Sequence, residues 1–275
     1  MKSAAFNYQR PETLQSALQL LADAPGTTSP IAGGQSLLPL LGLRMASVEA
    51  LMDIGRLADL RQVSATPTHV TIGAAITHAE IEEGKLDDPA RGLMQRMASQ
   101  IAYRAIRNQG TIGGSVAMAD PAADWPACLI ALNAVAIIAS SRGTRTCHVS
   151  ELIVDTYTTT LASDELILGF RVPRLHSSAK TAVSKVARKA GAFAMSLAVV
   201  VLDDGDERAR IVLAGAGGRA VRLPASCTAL HDRINEAGLA DALSADLASL
   251  CGGDAYSIRL HRANALRAIE EARAQ

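Results

Sequence analysis

Two glycine pairs, eighty positions apart, set the tightest limits on how this chain can fold. Ala32-Gly33-Gly34-Gln35-Ser36 and Thr111-Ile112-Gly113-Gly114-Ser115 each leave an apolar or helical stretch and end in a small hydroxyl residue. Paired glycines reach backbone angles that other residues avoid, and they let a second segment approach the main chain closely. They also let successive N–H groups converge on one point, a way to neutralise a pyrophosphate without a lysine. One such pair alone is more often an ordinary tight turn. Two of the same form favour the anion-binding reading, with the hydroxyls of Ser36, Thr111 and Ser115 as additional donors.

The segments around these pairs alternate between helix and strand. After Pro11, Leu14, Ala17, Leu18 and Leu21 form an amphipathic stripe that ends before Pro25-Gly26, which predicts a short helix. Residues 29–32, 49–54 and 69–75 read as strands, as do 136–139 and 165–172. Leu93, Met94, Met97 and Ile101 lie on one helical face, and residues 127–136 read as a helix after Pro126. The chain turns polar at 174–180, where a second unit is expected to begin. Within that unit, residues 196–202 and 209–214 flank an acidic stretch at 203–208, which predicts a hairpin with a solvated turn. From Ala225 onward the composition is rich in Ala and Leu, with glycine breaks that predict three helices over a small sheet.

Charge and composition exclude several functions. Lys+Arg and Asp+Glu both number 27, so no net field draws in a polyanion, and aromatics at 3% offer no stacking groove for nucleic acid. No apolar run approaches the ~20 residues of a membrane span. The opening residues turn polar before an apolar segment develops, so no secretory signal is expected and a cytoplasmic location is. Cys128, Cys147, Cys227 and Cys251 stand 19, 80 and 24 positions apart, which suits neither a zinc ribbon nor an iron–sulfur cluster. The six histidines show no metal spacing, and no metal site is expected.

A third glycine signal, Gly215-Ala-Gly-Gly-Arg-Ala220, formally satisfies the G-x-G-x-x-A dinucleotide fingerprint. That fingerprint needs a helix directly after it and a second parallel strand, yet Pro224 follows within four residues. A loop leaving a hairpin edge is the expectation here. The chain contains no P-loop, H-E-x-x-H or G-x-S-x-G motif.

Ala32-Gly-Gly-Gln-Ser-Leu-Leu-Pro-Leu40, followed by Arg44 and Leu51-Met-Asp-Ile54, resembles the first FAD-binding segment of the flavoprotein (medium) subunits of molybdenum hydroxylases. This is the carbon monoxide dehydrogenase and xanthine dehydrogenase family. Ile106-Arg-Asn-Gln-Gly-Thr-Ile-Gly-Gly-Ser-Val-Ala-Met-Ala-Asp-Pro-Ala-Ala-Asp124 is similar to the family's second segment, and 164–173 and Lys185 also fall in family positions. The resemblance runs over essentially the whole chain.

It implies an α+β fold: a two-lobed FAD-binding domain of the PCMH/VAO type over 1–175, with lobes of about 1–57 and 58–175. A C-terminal domain over 176–275 would follow, with a three-stranded antiparallel sheet and helices. It also implies that Ile31, Ala32, Gly33, Gly34, Gln35, Ser36 and Leu37 wrap the FAD pyrophosphate from one side. Thr111, Ile112, Gly113, Gly114 and Ser115 would wrap it from the other. Ile101 would lie near the adenine, Asp124 on the sugar or ribityl portion, Ile167 against the flavin ring, and Lys185 near the flavin or the FAD hydroxyls. Asp124 is equally placed to cap the helix that follows; Lys185 alone reads as a solvated strand residue, and Ile101 and Ile167 as core.

Three positions depart from the family pattern. Gly42 stands where lysine is common, Gln109 where a second arginine is common, and Ser115 where Asn is usual. No catalytic side chain is assigned, because a flavin brings its own reactive atoms. The resemblance implies an electron-transfer subunit of an oxidoreductase complex. A large molybdopterin subunit and a small 2Fe-2S subunit would be its partners in an (αβγ)2 assembly, with electrons passing through FAD to NAD, O2 or a quinone or dye-type acceptor. Two alternatives remain: a self-sufficient FAD-dependent reductase or oxidase, and a non-catalytic FAD-binding scaffold.

Overall fold

The computed structural model describes residues 2–203 and 209–275. The first segment builds a small parallel sheet. Strand β1 (Asn7–Gln9), helix α1 (Leu14–Asp23), β2 (Thr28–Ile31), α2 (Leu37–Gly42) and β3 (Ala50–Asp53) follow in order, and the strands pair as β1-β3-β2. Thr13 starts α1 through a capping box with Ser16, satisfying amides that the first turn leaves open. The predicted stripe buries Ala17, Leu18 and Leu21. These pack with Met52 of β3 and with Ala139 and Leu166 of the next sheet, so one helix face joins the two sheets.

The second sheet is five-stranded and antiparallel in all its pairings. Its strands are β4 (Val63–Ala65), β5 (His69–Gly73), β6 (Val135–Ser140), β7 (Gly143–His148) and, last in the chain, β10 (Leu166–Pro173), in the order β4-β5-β10-β6-β7. Between β5 and β6 the chain inserts α3 (His78–Glu82), α4 (Leu93–Ser99), α5 (Arg104–Arg107), α6 (Ile112–Met118) and α7 (Asp124–Ala131). A short excursion after β7 carries α8 (Val149–Leu152) and the paired strands β8 (Ile153–Asp155) and β9 (Thr158–Thr159). Helix α7 is buried along its whole length.

The C-terminal sheet contains the three long strands expected, β11 (Lys180–Val186), β12 (Ser196–Leu202) and β13 (Ala209–Ala214), extended by a two-residue strand, β14 (Val221–Arg222). Its faces are both covered, which is why β12 reads as an unbroken apolar run instead of alternating. Leu197, Val199 and Val201 join the core that contains Trp125 and Phe170. Ala198 and Val200 face the other way and pack with residues of α9 (Pro224–His231), α10 (Glu236–Leu250) and α11 (Ala255–Arg273). The β12–β13 pairing is the predicted hairpin, while the acidic turn at 204–208 lies outside the described residues.

Residues 215–220 join β13 to the antiparallel β14, as expected for a loop at a hairpin edge. Gly215, Gly217 and Gly218 all take positive φ there. The next helix starts at Pro224, beyond β14, so the geometry of a dinucleotide-binding βαβ turn is absent. Among the described residues no helix is long and apolar enough to cross a membrane, and no cluster of His, Cys, Asp and Glu could hold a metal ion.

Candidate functional site

The fold brings the two glycine segments into contact. A β-carbon on Gly33 would lie 2.1 Å from the carbonyl oxygen of Gln109 and 2.8 Å from the α-carbon of Gly110, so only glycine fits. The contact places the turn after β2 directly against the turn that leads into α6. A cleft of about 800 Å³ opens here, lined by Ala32, Ala75, Thr77, Gln109 and Thr111 together with Asp53, Arg56, Arg61, Glu80, Lys85 and Arg104.

The two segments present different chemistry. Among the described residues the amides of Gly33, Gly34, Gln35 and Ser36 meet no protein acceptor, and the Gln35 side chain folds back to donate to the Gly33 carbonyl at 2.7 Å. In the second segment the Ile112 and Gly113 amides donate to Ile76 and Ala74 carbonyls, at 3.1 and 2.9 Å. The Gly114 amide donates to the Thr111 hydroxyl, which caps α6, and the Ser115 amide to the Thr111 carbonyl. The first turn therefore carries open donors, and the second is a rigid wall stitched to the chain after β5. Unpaired backbone N–H groups are the donors that anionic groups recruit. FAD, whose pyrophosphate is such a group, fits this cradle.

The cations around the cleft differ in freedom. Arg61 is held by Glu80 at 2.6 Å and by the Ala75 carbonyl at 3.0 Å. Lys85 pairs with Glu83 at 2.6 Å, and Arg104 with Glu82 and Glu83. Arg56 is exposed and has no ion-pair or hydrogen-bond partner among the described residues, which leaves its charge open to a ligand. Its sequence setting, a lone arginine after β3, gave no signal.

Asp124 and Lys185 meet in the interior. The Lys185 ammonium donates to both carboxylate oxygens of Asp124, at 2.8 and 3.0 Å, and to the Gln100 carbonyl at 3.2 Å. Their side chains are 6% and 7% exposed. Burial pushes the Asp124 carboxyl above the usual carboxylate range, and the Lys185 charge opposes that shift. Lys185 is therefore a buried ion-pair partner and not a solvated strand residue. Asp124 is the first residue of α7, whose N-cap is Ala123 without a side-chain hydrogen bond, so the capping role does not apply.

Ile101 is half-buried just beyond α4, in a segment held from both sides. Lys185 takes the Gln100 carbonyl, and Arg107 donates to the carbonyls of Ile101 and Ala102 at 2.9 and 3.0 Å while forking onto Glu82. Ile167 is buried in β10 beside a bulge and does not line the cleft. His78, to which the sequence assigns no role, is buried against both Trp125 and the Gly110 backbone.

Comparison with known proteins identifies the family. Residues 4–175 match the family described as FAD binding domain in molybdopterin dehydrogenase. The chain is 36% identical to the 6-hydroxypseudooxynicotine dehydrogenase complex subunit alpha of Paenarthrobacter nicotinovorans, over 81% of this chain and 76% of that protein. It is 38% identical to the glyceraldehyde dehydrogenase medium chain of Sulfolobus acidocaldarius, over 77% of this chain and 75% of that one. Its structure superposes with a TM-score of 0.93 and 30% identity on a chain of the carbon monoxide dehydrogenase from Hydrogenophaga pseudoflava, covering 100% of this chain and 99% of that one. This chain belongs to the family of FAD-binding domains of molybdopterin dehydrogenases.

Proposed function

We propose that the chain is the FAD-carrying medium subunit of a molybdenum hydroxylase complex, with FAD seated between the two glycine turns. The observation that carries this is the closure of Gly33 on Gln109 and Gly110 beside a row of open amides. In this reading residues 1–175 form the FAD domain, with lobes of about 1–57 and 58–175, and 176–275 form the C-terminal domain. The amides of Gly33, Gly34, Gln35 and Ser36, with Ile31, Ala32 and Leu37 beside them, hold the pyrophosphate. Thr111, Ile112, Gly113, Gly114 and Ser115 form the opposing wall. Ile101 would border the adenine, Asp124 and Lys185 would lie on the ribityl and flavin side, and Ile167, which does not line the cleft itself, would back the ring from within the sheet.

The chemistry that FAD supplies when bound is redox, taking up electrons singly and releasing them as a pair. The chain's own contribution is position and charge. Its turns fix the pyrophosphate, Arg56 offsets anionic charge, and the buried pair from α7 and β11 keeps the segment after α4 in place.

The remaining centres belong to partners in this account: 2Fe-2S clusters on a small subunit and molybdopterin on a large one, assembled as (αβγ)2. The four cysteines of this chain are dispersed over α7, β7, α9 and the end of α10, so none of the clusters resides here. The external acceptor is NAD, O2 or a quinone or dye-type acceptor in this reading. Isolation of the tagged chain from its own host tests the assembly. The expected result is two co-purifying polypeptides in equal amounts, one carrying iron and labile sulfide and the other molybdenum. A chain that purifies alone and turns over a substrate by itself would establish the self-sufficient reductase or oxidase instead.

A further inference from the structure

Gly110 is clamped between two partners. On one side lies the Gly33 backbone. On the other lies His78, whose backbone N–H donates to the Gly110 carbonyl at 2.9 Å. A β-carbon on Gly110 would fall 2.7 Å from Nε2 of the His78 ring and 2.9 Å from its Cδ2. The ring in turn is fixed by Trp125, whose indole N–H donates to His78 Nδ1 at 2.9 Å, with the ring centroids 6.0 Å apart. An indole N–H can only donate, so Nδ1 is the bare nitrogen and the neutral ring carries its proton on Nε2, the atom that bears on Gly110.

The charged groups on the surrounding elements do not favour an imidazolium. Burial and, after it, the Arg107 charge lower the His78 pKa to about 4. Glu80 on the same helix is engaged by Thr77 and Arg61, and Glu82 by Arg107 and Arg104 of α5. Arg96 of α4 donates to Thr181, and Asp124 of α7 is taken up by Lys185. Each nearby carboxylate is thus committed elsewhere, and the ring stays neutral.

We propose that His78 is a positioning residue for the dinucleotide cleft: held by Trp125, its ring presses Gly110 against Gly33 and sets the wall from Thr111 to Gly114 opposite the open amides. The proposal rests on the FAD reading of the cleft. It also accounts for glycine at both 33 and 110, because three layers of backbone and ring meet there without space for a side chain. His78 acts through the Gly110 backbone and takes no proton from any substrate.

The test uses the full chain, three single variants and one double variant. His78→Leu removes the acceptor, His78→Asn keeps an oxygen near the Nδ1 position without a titrating group, and Trp125→Phe removes the donor. Amide exchange at Ile112, Gly113 and Gly114 is measured alongside the Kd for FAD. His78→Leu is expected to speed exchange at these amides and to raise Kd, each by about tenfold, the loss expected from one unpaired buried N–H. Exchange in α10 should not change. His78→Asn should stay within about threefold of the parent on both readouts, and His78→Leu added to Trp125→Phe should cause no further loss. Equal losses in the Leu and Asn variants, in step with lowered Tm, would overturn the proposal, as would unchanged exchange and Kd in His78→Leu. A parent chain that binds no FAD while exchange follows the expected pattern would overturn the reading of the cleft and leave the His78–Gly110 clamp standing.

Discussion

Gly33 packs so tightly on Gln109 that a β-carbon at position 33 would lie 2.1 Å from the Gln109 carbonyl oxygen. Gly33→Ala must therefore push the two turns apart, at a cost of about 2 kcal/mol for overpacking a closed contact. The separation should also abolish tight FAD binding. Titration of the variant with FAD, with urea unfolding in parallel, checks both effects. By contrast the side chain of Gly42→Lys enters open space and should leave stability within about 0.5 kcal/mol of the parent.

Removing one partner of the buried Asp124–Lys185 pair should cost far more than removing both. Lys185→Met leaves a carboxylate in the interior and should destabilise the chain by about 3 kcal/mol at neutral pH. In that variant burial acts unopposed, so the folded carboxyl rises further above its unfolded value. Its stability is then greatest below the ordinary carboxylate range and falls as pH rises through the raised folded value. The double variant Asp124→Asn with Lys185→Met should lose this slope and recover part of the stability, as urea unfolding at pH 4.5 and 7.5 would show.

His78 gives the parent chain a dependence of the opposite sign. Its folded pKa lies at about 4, below the ordinary 6.5, so the unfolded chain gains a proton first as pH falls. The stability tied to this ring is complete above pH 6.5 and is lost down to about pH 4. The total amounts to about 3 kcal/mol. In His78→Asn this component is absent, so the parent's unfolding free energy should fall relative to the variant's by about 3 kcal/mol as pH is lowered across that window.

Ser115 supplies one hydroxyl, whereas an Asn there would offer an amide with two kinds of hydrogen-bonding group. Ser115 sits half-buried in the first turn of α6, and its amide is already used by the Thr111 carbonyl. Ser115→Asn should lower the Kd for FAD severalfold without changing the Tm of the cofactor-free chain. An unchanged Kd would remove this side chain from the pyrophosphate site.

The glycine pairs and the strands at 135–140 and 166–173 were legible because local sequence dictates them: apolar runs bounded by turn residues, and backbone angles that glycine favours. Helices α3, α5 and α6, of five, four and seven residues, are too short for a periodic stripe and were not. The three residues of β1 gave no signal either, since they form a strand only by pairing with β3. The strand β11, which starts at the end of the polar junction 174–180, gave no signal, because its pairing with β12 supplies what its side chains do not. The site followed the same division. Each turn could be recognised, but not their contact, nor that only one retains open amides. Lys185 meets Asp124 across 61 positions and Trp125 meets His78 across 47, relationships that tertiary packing alone creates.

The most direct test of the account is the FAD content of the purified chain, by extraction and chromatography, before and after incubation with FAD. One FAD per chain, lost in Gly33→Ala, is the predicted result. A folded chain that takes up no FAD, alone or assembled with its partner subunits, would contradict the assignment of the cleft beside the Gly33–Gly110 contact.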